Sequence, residues 1–197
     1  MIRKAKPVWI LCLCLAALTG DARAELWGIV PGDDRTEVRF HSEATMESFD
    51  GVTRNAEGWL SIAAGDSISW LVSVDLASMD TGIGLRNRHM RDNHLHTDEF
   101  PEAVFSGSMA WPAEIPPLER GVEVELGLAG RFELHGVSRE RMIPVSLSRQ
   151  GDFVEAGATF EVSLADHDIP LPKFLMMKLA DVQQVSVRLL ARKKEGD

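Results

Sequence analysis

From Val122 to Leu134 the chain reads VEVELGLAGRFEL, and the alternation is unbroken. The even positions, Val122, Val124, Leu126, Leu128, Gly130, Phe132 and Leu134, are apolar or small. The odd positions, Glu123, Glu125, Gly127, Ala129, Arg131 and Glu133, are charged or small. A period of two places the two sets on opposite faces of a strand, one against a core and one against water. Thirteen such residues exceed the usual strand length. Strands this long suit a closed barrel, in which they tilt and wrap.

The same period recurs along the chain. Ile68, Trp70, Val72, Val74 and Leu76 share a face, as do Ala103, Phe105, Gly107, Met109 and Trp111. Shorter runs follow at Ile143, Val145 and Leu147, at Ala158, Phe160, Val162 and Leu164, and at Val185, Val187 and Leu189. Earlier ones lie at Val38 and Phe40 and at Gly58, Leu60 and Ile62. About eight strands separated by turn residues predict an all-β antiparallel fold, a closed up-and-down barrel first and a sandwich second. Gly58, Gly107 and Gly130 fall on the inward faces, where glycine marks either a bend or a place where another group comes close. Residues 111–121 read as a long turn. Two connectors interrupt the period, at 77–98 and at 166–179.

The N-terminus reads as a leader. A basic start (Arg3, Lys4, Lys6), an apolar run (VWILCLCLAALTG) and a small-residue Ala22-Arg23-Ala24 site predict an exported chain cleaved after residue 24. The apolar run is short for a membrane span. Cleavage leaves one domain, 25–197, of 173 residues with neither Cys12 nor Cys14. A core of that size holds without disulfides. Losing Arg3, Lys4, Lys6, Arg23 and Asp21 takes the net charge from −9 to −12. Such an acidic surface excludes nucleic acid as the partner.

The stretch Arg86 to His96 concentrates three histidines and three arginines. On a helix His89 and His96 lie about 10 Å apart, too far for one ion. His94 and His96 approach each other only in extended backbone, and still lack a third ligand. No G-x-S-x-G, H-E-x-x-H or mature cysteine marks a nucleophile or a zinc protease. Arg86, Arg88 and Arg91 offer an anion site, although Asp92, Asp98 and Glu99 neutralise it in part. The favoured reading is a short helix across the barrel rim, ended by Pro101 and held by side-chain hydrogen bonds.

These residues carry a resemblance. SMDTGIGLRNRHMRDNHLHTDEFPEAVFSG is similar to the segment that marks the YceI-like polyisoprenoid-binding family. It supplies Thr81 and Gly82, then Arg86, His89, Met90 and Arg91, then Phe100, Pro101 and Phe105. Asn87 stands where that family commonly has aspartate. LAGRFELHGVSRERMIPV resembles the family's central hairpin, and FEVSLADHDIPLPKFLMMKLADVQQVSVRL its last crossing. The resemblance implies a lipocalin-like eight-stranded barrel with a short helix in the 77–98 connector. It implies an apolar pocket for an isoprenoid or similar amphiphilic lipid, no catalytic residue, and export to the periplasm or beyond; no metal or cofactor is expected. It is compatible with pairing as a homodimer and with transient membrane contact.

Parity names the expected pocket wall: Trp70, Val72, Phe105, Met109, Gly130, Phe132, Phe160 and Val162. The apolar segment IPLPKFLMM supplies the expected cover, Ile169, Leu171, Phe174 and Met177. Its prolines predict a loop outside any ladder, and its methionines are adaptable apolar contacts. The expected function is a carrier or buffer of lipid. Two other readings stay open at this point. One is a metal-dependent enzyme acting on a small molecule through the histidines of 89–96. The other is a filled barrel that partners a membrane redox protein.

Overall fold

The computed structural model describes residues 24–43, 48–63, 65–171 and 180–194, with backbone alone at 173–174 and 177–178. The expected leader, except for its last residue, lies outside the described residues. The strands are β1 (Glu25–Ile29), β2 (Glu37–Glu43), β3 (Ser48–Thr53), β4 (Ala56–Ala63), β5 (Ser67–Asp75), β6 (Glu102–Ala110), β7 (Glu123–Leu134), β8 (Val137–Gln150), β9 (Phe153–Ser163), β10 (Lys173–Phe174), β11 (Met177–Lys178) and β12 (Val182–Lys193). One α-helix, α1 (Gly84–Met90), lies between β5 and β6.

All of these strands except β10 and β11 belong to one antiparallel sheet that closes through β1 and β12. The barrel nevertheless has eight walls. β1 and β2 run along the same edge of β12 as one interrupted wall. β3 and β4 line up beside them as the next, broken only at Arg54 and Asn55. The interruption at 30–36 is a large bulge. Ile29 faces Ala191 and Glu37 faces Arg188, so eight steps on one strand match three on the other. Thr36 stitches the bulge by donating to the Val30 carbonyl. The eight runs of alternation therefore correspond to the eight walls, while β1 and β3 carry too few alternating residues to announce themselves.

β7 shows why parity decides the fold. Along it every even residue is buried, and every odd one except half-buried Gly127 is exposed. It pairs with β8 over its full length through a two-residue turn at His135 and Gly136, both with positive φ (53° and 73°). That is the turn whose twist matches a hairpin.

The inward glycines are closed by the protein itself. A Cβ on Gly107 would lie 2.4 Å from the Trp70 indole, and one on Gly130 would lie 2.8 Å from it and 2.5 Å from the Ser106 carbonyl. Gly58 has φ +135° and backs onto the Leu71 carbonyl. The space at these glycines is therefore taken by the protein, by Trp70 at two of them, and leaves no room for a ligand there.

The lower end of the barrel is solid. Trp27, Leu60, Ile62, Ile68, Val124 and Leu126 pack there with Trp111 and Leu118 from the 111–121 turn. Trp111 fixes that turn by donating to the Ile115 carbonyl. Three positions depart from expectation in the connectors. The 84–95 helix ends at His96 in the left-handed region, not at Pro101. Residues 91–95 form a π turn, which brings residues five apart onto one face. Lys173 and Phe174 pair with Lys178 and Met177, so the apolar segment holds a small ladder, which Pro170 and Pro172 precede and do not prevent.

Candidate functional site

Above the packed end the barrel is hollow. The cavity measures about 510 Å³, within the range of small-ligand sites. Its floor and lower walls are Leu60, Trp70, Leu128, Leu147 and Leu189. Val72, Phe105, Phe132, Val145, Phe160 and Val187 form the middle. Phe40, Val72, Phe105, Phe160, Val185 and Val187 point inward yet are only half-buried. Side chains on the core face of a strand keep that exposure only where the interior is open.

A helical roof spans the mouth. The connector leaves β5, pairs Asp80 with Val52 at the β3 edge, and returns through α1 and the π turn. Asn87 organises its start. Its Oδ1 accepts from the Thr81 amide and hydroxyl, and its Nδ2 donates to Asp80 Oδ1. An aspartate here has no hydrogen to donate to Asp80, so the amide suits this loop better. The Asn87 amide, with the Gly82 N–H, holds the Asp80 carboxyl below its usual range. Ile83, Leu85, Met90 and Leu95 then face the cavity. Met90 and Leu95 are five residues apart, and the π turn aligns them. Arg86 lies over the Phe49 ring at 4.1 Å and donates to Thr81.

Four histidines fasten this roof. His94 Nδ1 donates to the Pro170 carbonyl at 2.7 Å. His135 Nδ1 donates to the His167 carbonyl, which leaves its Nε2 to accept from His96 Nδ1 at 2.8 Å. His167 Nδ1 reaches the Leu134 and Val137 carbonyls. His167 is fully buried against Phe132, with its Nε2 unpaired. Burial holds its pKa below the ordinary value, and Arg139 and Arg141 push the same way against the two carbonyls. His94 and His96 thus turn to separate partners. Among the described residues no group of three or more His, Cys, Asp or Glu is placed to hold a metal ion.

Seven expected wall or cover residues border the cavity: Trp70, Val72, Phe105, Phe132, Phe160, Val162 and Ile169. Three do not. Met109 packs lower, on the solid core. Gly130 is sealed by Trp70 and the β6 backbone. Leu171, one residue beyond Pro170, is not among the described residues that line the cavity. The side chains of Phe174 and Met177 lie outside the described residues. Parity reasoning missed two polar members, Ser42 and Gln183. Both sit at inward positions of otherwise apolar runs, a signal that was available.

The fold and its roofed interior define a class, the closed lipocalin-like barrel with an apolar chamber. The YceI-like domain model matches residues 27–191, and the chain belongs to that family. No curated protein matches the chain. Among solved structures, it resembles a polyisoprenoid binding domain from Saccharophagus degradans implicated in plant cell wall breakdown (TM-score 0.65, 16% identity, 87% of this chain and 98% of that one). It also resembles Burkholderia cenocepacia BcnA (TM-score 0.63, 16% identity, 79% and 95%). The YceI protein of Campylobacter jejuni follows (TM-score 0.53, 13% identity, 78% and 85%).

Proposed function

We propose that this chain is an exported, non-enzymatic carrier that holds a polyisoprenoid or similar lipid in its upper barrel. The observation that carries the reading is the roofed apolar cavity of about 510 Å³. Burying a methylene contributes about 0.8 kcal/mol, so a chain of some ten carbons binds without a charged anchor. The family and the Saccharophagus domain support an isoprenoid as the chain. The leader-like N-terminus supports export, with Glu25 as the first mature residue. Exposed Ile83 and Leu85 at the mouth (51% and 59%) support a brief membrane contact during loading.

Organic extraction of the purified exported protein, followed by mass identification, tests the reading. A stoichiometric lipid is expected. Ala158 lines the cavity, so Ala158→Phe should fill it and lower the extracted lipid while the fold melts cooperatively. An unchanged lipid load in that variant would place the ligand elsewhere, and no lipid in the parent would end the carrier reading.

A further inference from the structure

Among the described strand residues the cavity wall is apolar apart from the Trp70 indole N–H and one patch of two polar side chains. On β2 the inward residues are Val38, Phe40 and Ser42, while Arg39 and His41 bond outward-facing Glu37 and Asp50. On β12 the inward run Leu189, Val187 and Val185 ends in Gln183. β2 and β12 pair from Glu37↔Arg188 to His41↔Gln184. Ser42 and Gln183 are the next residues of the two strands beyond the last pair, His41↔Gln184, and both line the cavity. The two polar residues therefore share one patch of the inner wall, at the roofed end.

Neither is spent on the fold in full. Ser42 is 0% exposed, lines the cavity, and its hydroxyl has no hydrogen-bond partner. Burying an unpaired hydroxyl is unfavourable, so a partner for it would be stabilising. Gln183 is 5% exposed and donates through Nε2 to the Ala180 carbonyl. That bond uses one amide hydrogen and leaves the other, with Oε1, for a further partner.

We propose that Ser42 and Gln183 form a subsite for an uncharged hydroxyl on the ligand, an isoprenoid alcohol in chemical class. The inference rests on the carrier reading above and adds the head group and its direction. A hydroxyl both donates and accepts, which matches a serine hydroxyl beside a carboxamide. The flanking wall residues, Phe40, Val162 and Val185, carry no charge, so a phosphate there would be buried without a counter-ion. The cationic lining lies on the roof, where Arg86 is already engaged with Thr81 and Phe49. The head group sits under the roof, and the hydrocarbon tail runs down toward Leu128, Leu147 and Leu189.

Three probes of one chain length test this on the delipidated mature protein: farnesol, the hydrocarbon farnesene, and farnesyl phosphate. The parent should bind farnesol roughly tenfold tighter than farnesene, the effect of one or two buried hydrogen bonds. Farnesyl phosphate should bind more weakly than farnesol. Ser42→Ala should reduce the farnesol preference over farnesene to about twofold and leave melting unchanged or raised, because no native bond is lost. Gln183→Leu should do the same to the preference. A parent without the alcohol preference, or a Ser42→Ala protein that keeps it, overturns the subsite while farnesene binding leaves the carrier intact. Tighter binding of the phosphate overturns it as well and points to the roof cations. A second unpaired donor, Trp70 Nε1, also borders the cavity. Loss of the preference in Trp70→Phe but not in Ser42→Ala would move the subsite there. Failure of all three probes to bind would remove the carrier reading and the subsite together.

Discussion

The two ends of this barrel are both closed by irregular chain, and they are closed differently. At the lower end the 111–121 turn pushes Trp111 and Leu118 into the strands, and both are about 95% buried. At the upper end the roof lies over empty space, fastened at its edge by histidine rings on carbonyls and on one another. A plug contributes apolar burial, which is large and insensitive to small shifts. A latch contributes a few polar contacts, which are modest and can open. On the carrier reading, the contrast predicts stability from one end and access at the other.

The largest effect should come from the plug. Trp111→Ala removes a buried indole and its bond to Ile115, and should cost about 3–5 kcal/mol of unfolding free energy in denaturant titration. Extractable lipid per folded molecule should hold. Parallel loss of lipid would show that the two ends are one cooperative unit and would break the comparison.

Next in size is the boundary between the solid and hollow halves, marked by Trp70 across Gly107 and Gly130. Gly130→Ala places a methyl within 2.5 Å of the Ser106 carbonyl, a backbone atom, and 2.8 Å from the indole. The strands or the ring must shift, and a melting experiment should read a loss of roughly 1–3 kcal/mol. A neutral result would mean that Trp70 moves freely and that the cavity floor is soft.

These particulars show what the sequence makes legible. The strands and their faces are a local property, since parity needs no knowledge of neighbours. Trp70, Phe105, Phe132 and Phe160 accordingly share the inward parity and border the cavity. Height along the barrel is not local. It follows from stagger between strands, and so Met109 and Gly130 carry the right parity at the wrong level. The alignment of Met90 with Leu95 depends on a π turn that a 3.6-residue period cannot register. Which glycine faces a ligand and which a tryptophan depends on Trp70, more than thirty residues away in sequence. The Arg86–His96 stretch reads as a rim helix held by side-chain hydrogen bonds, but two of its tertiary partners, Pro170 and His135, are distant in the chain and no local pattern names them.

A smaller effect concerns acid. His167 is buried as the neutral ring, with its pKa lowered below 6.5. The unfolded chain therefore takes up a proton at a higher pH than the folded one. The contribution of this group is complete above about pH 6.5 and declines as pH falls below that value toward the lowered folded pKa. A protonated Nε2 would stand charged and unpaired beside Phe132, near Arg139 and Arg141. Melting temperature measured from pH 7.5 down to 5 should fall in the parent, and that slope should flatten in His167→Gln. Equal slopes would assign the acid response to other groups.

The smallest effect on stability, and the sharpest test of the contrast, is at the latch. His94 is half-buried, and its one bond joins the roof to the Pro170 carbonyl. A neutral hydrogen bond of this kind contributes about 0.5–1.5 kcal/mol, and at a half-exposed site the lower figure applies because water replaces the lost partner. His94→Ala should therefore melt within about 1 kcal/mol of the parent. The roof stays tied at Asp80, Asn87 and Thr81 and through His96 to His135, so only the contact at His94 is loosened. Release of preloaded farnesol to acceptor vesicles should then speed up several-fold, while equilibrium binding changes less, because opening affects entry and exit alike. A His94→Ala protein that lost stability on the scale of Trp111→Ala would make the roof a second plug. One with unchanged release would put the exit route elsewhere than under the π turn.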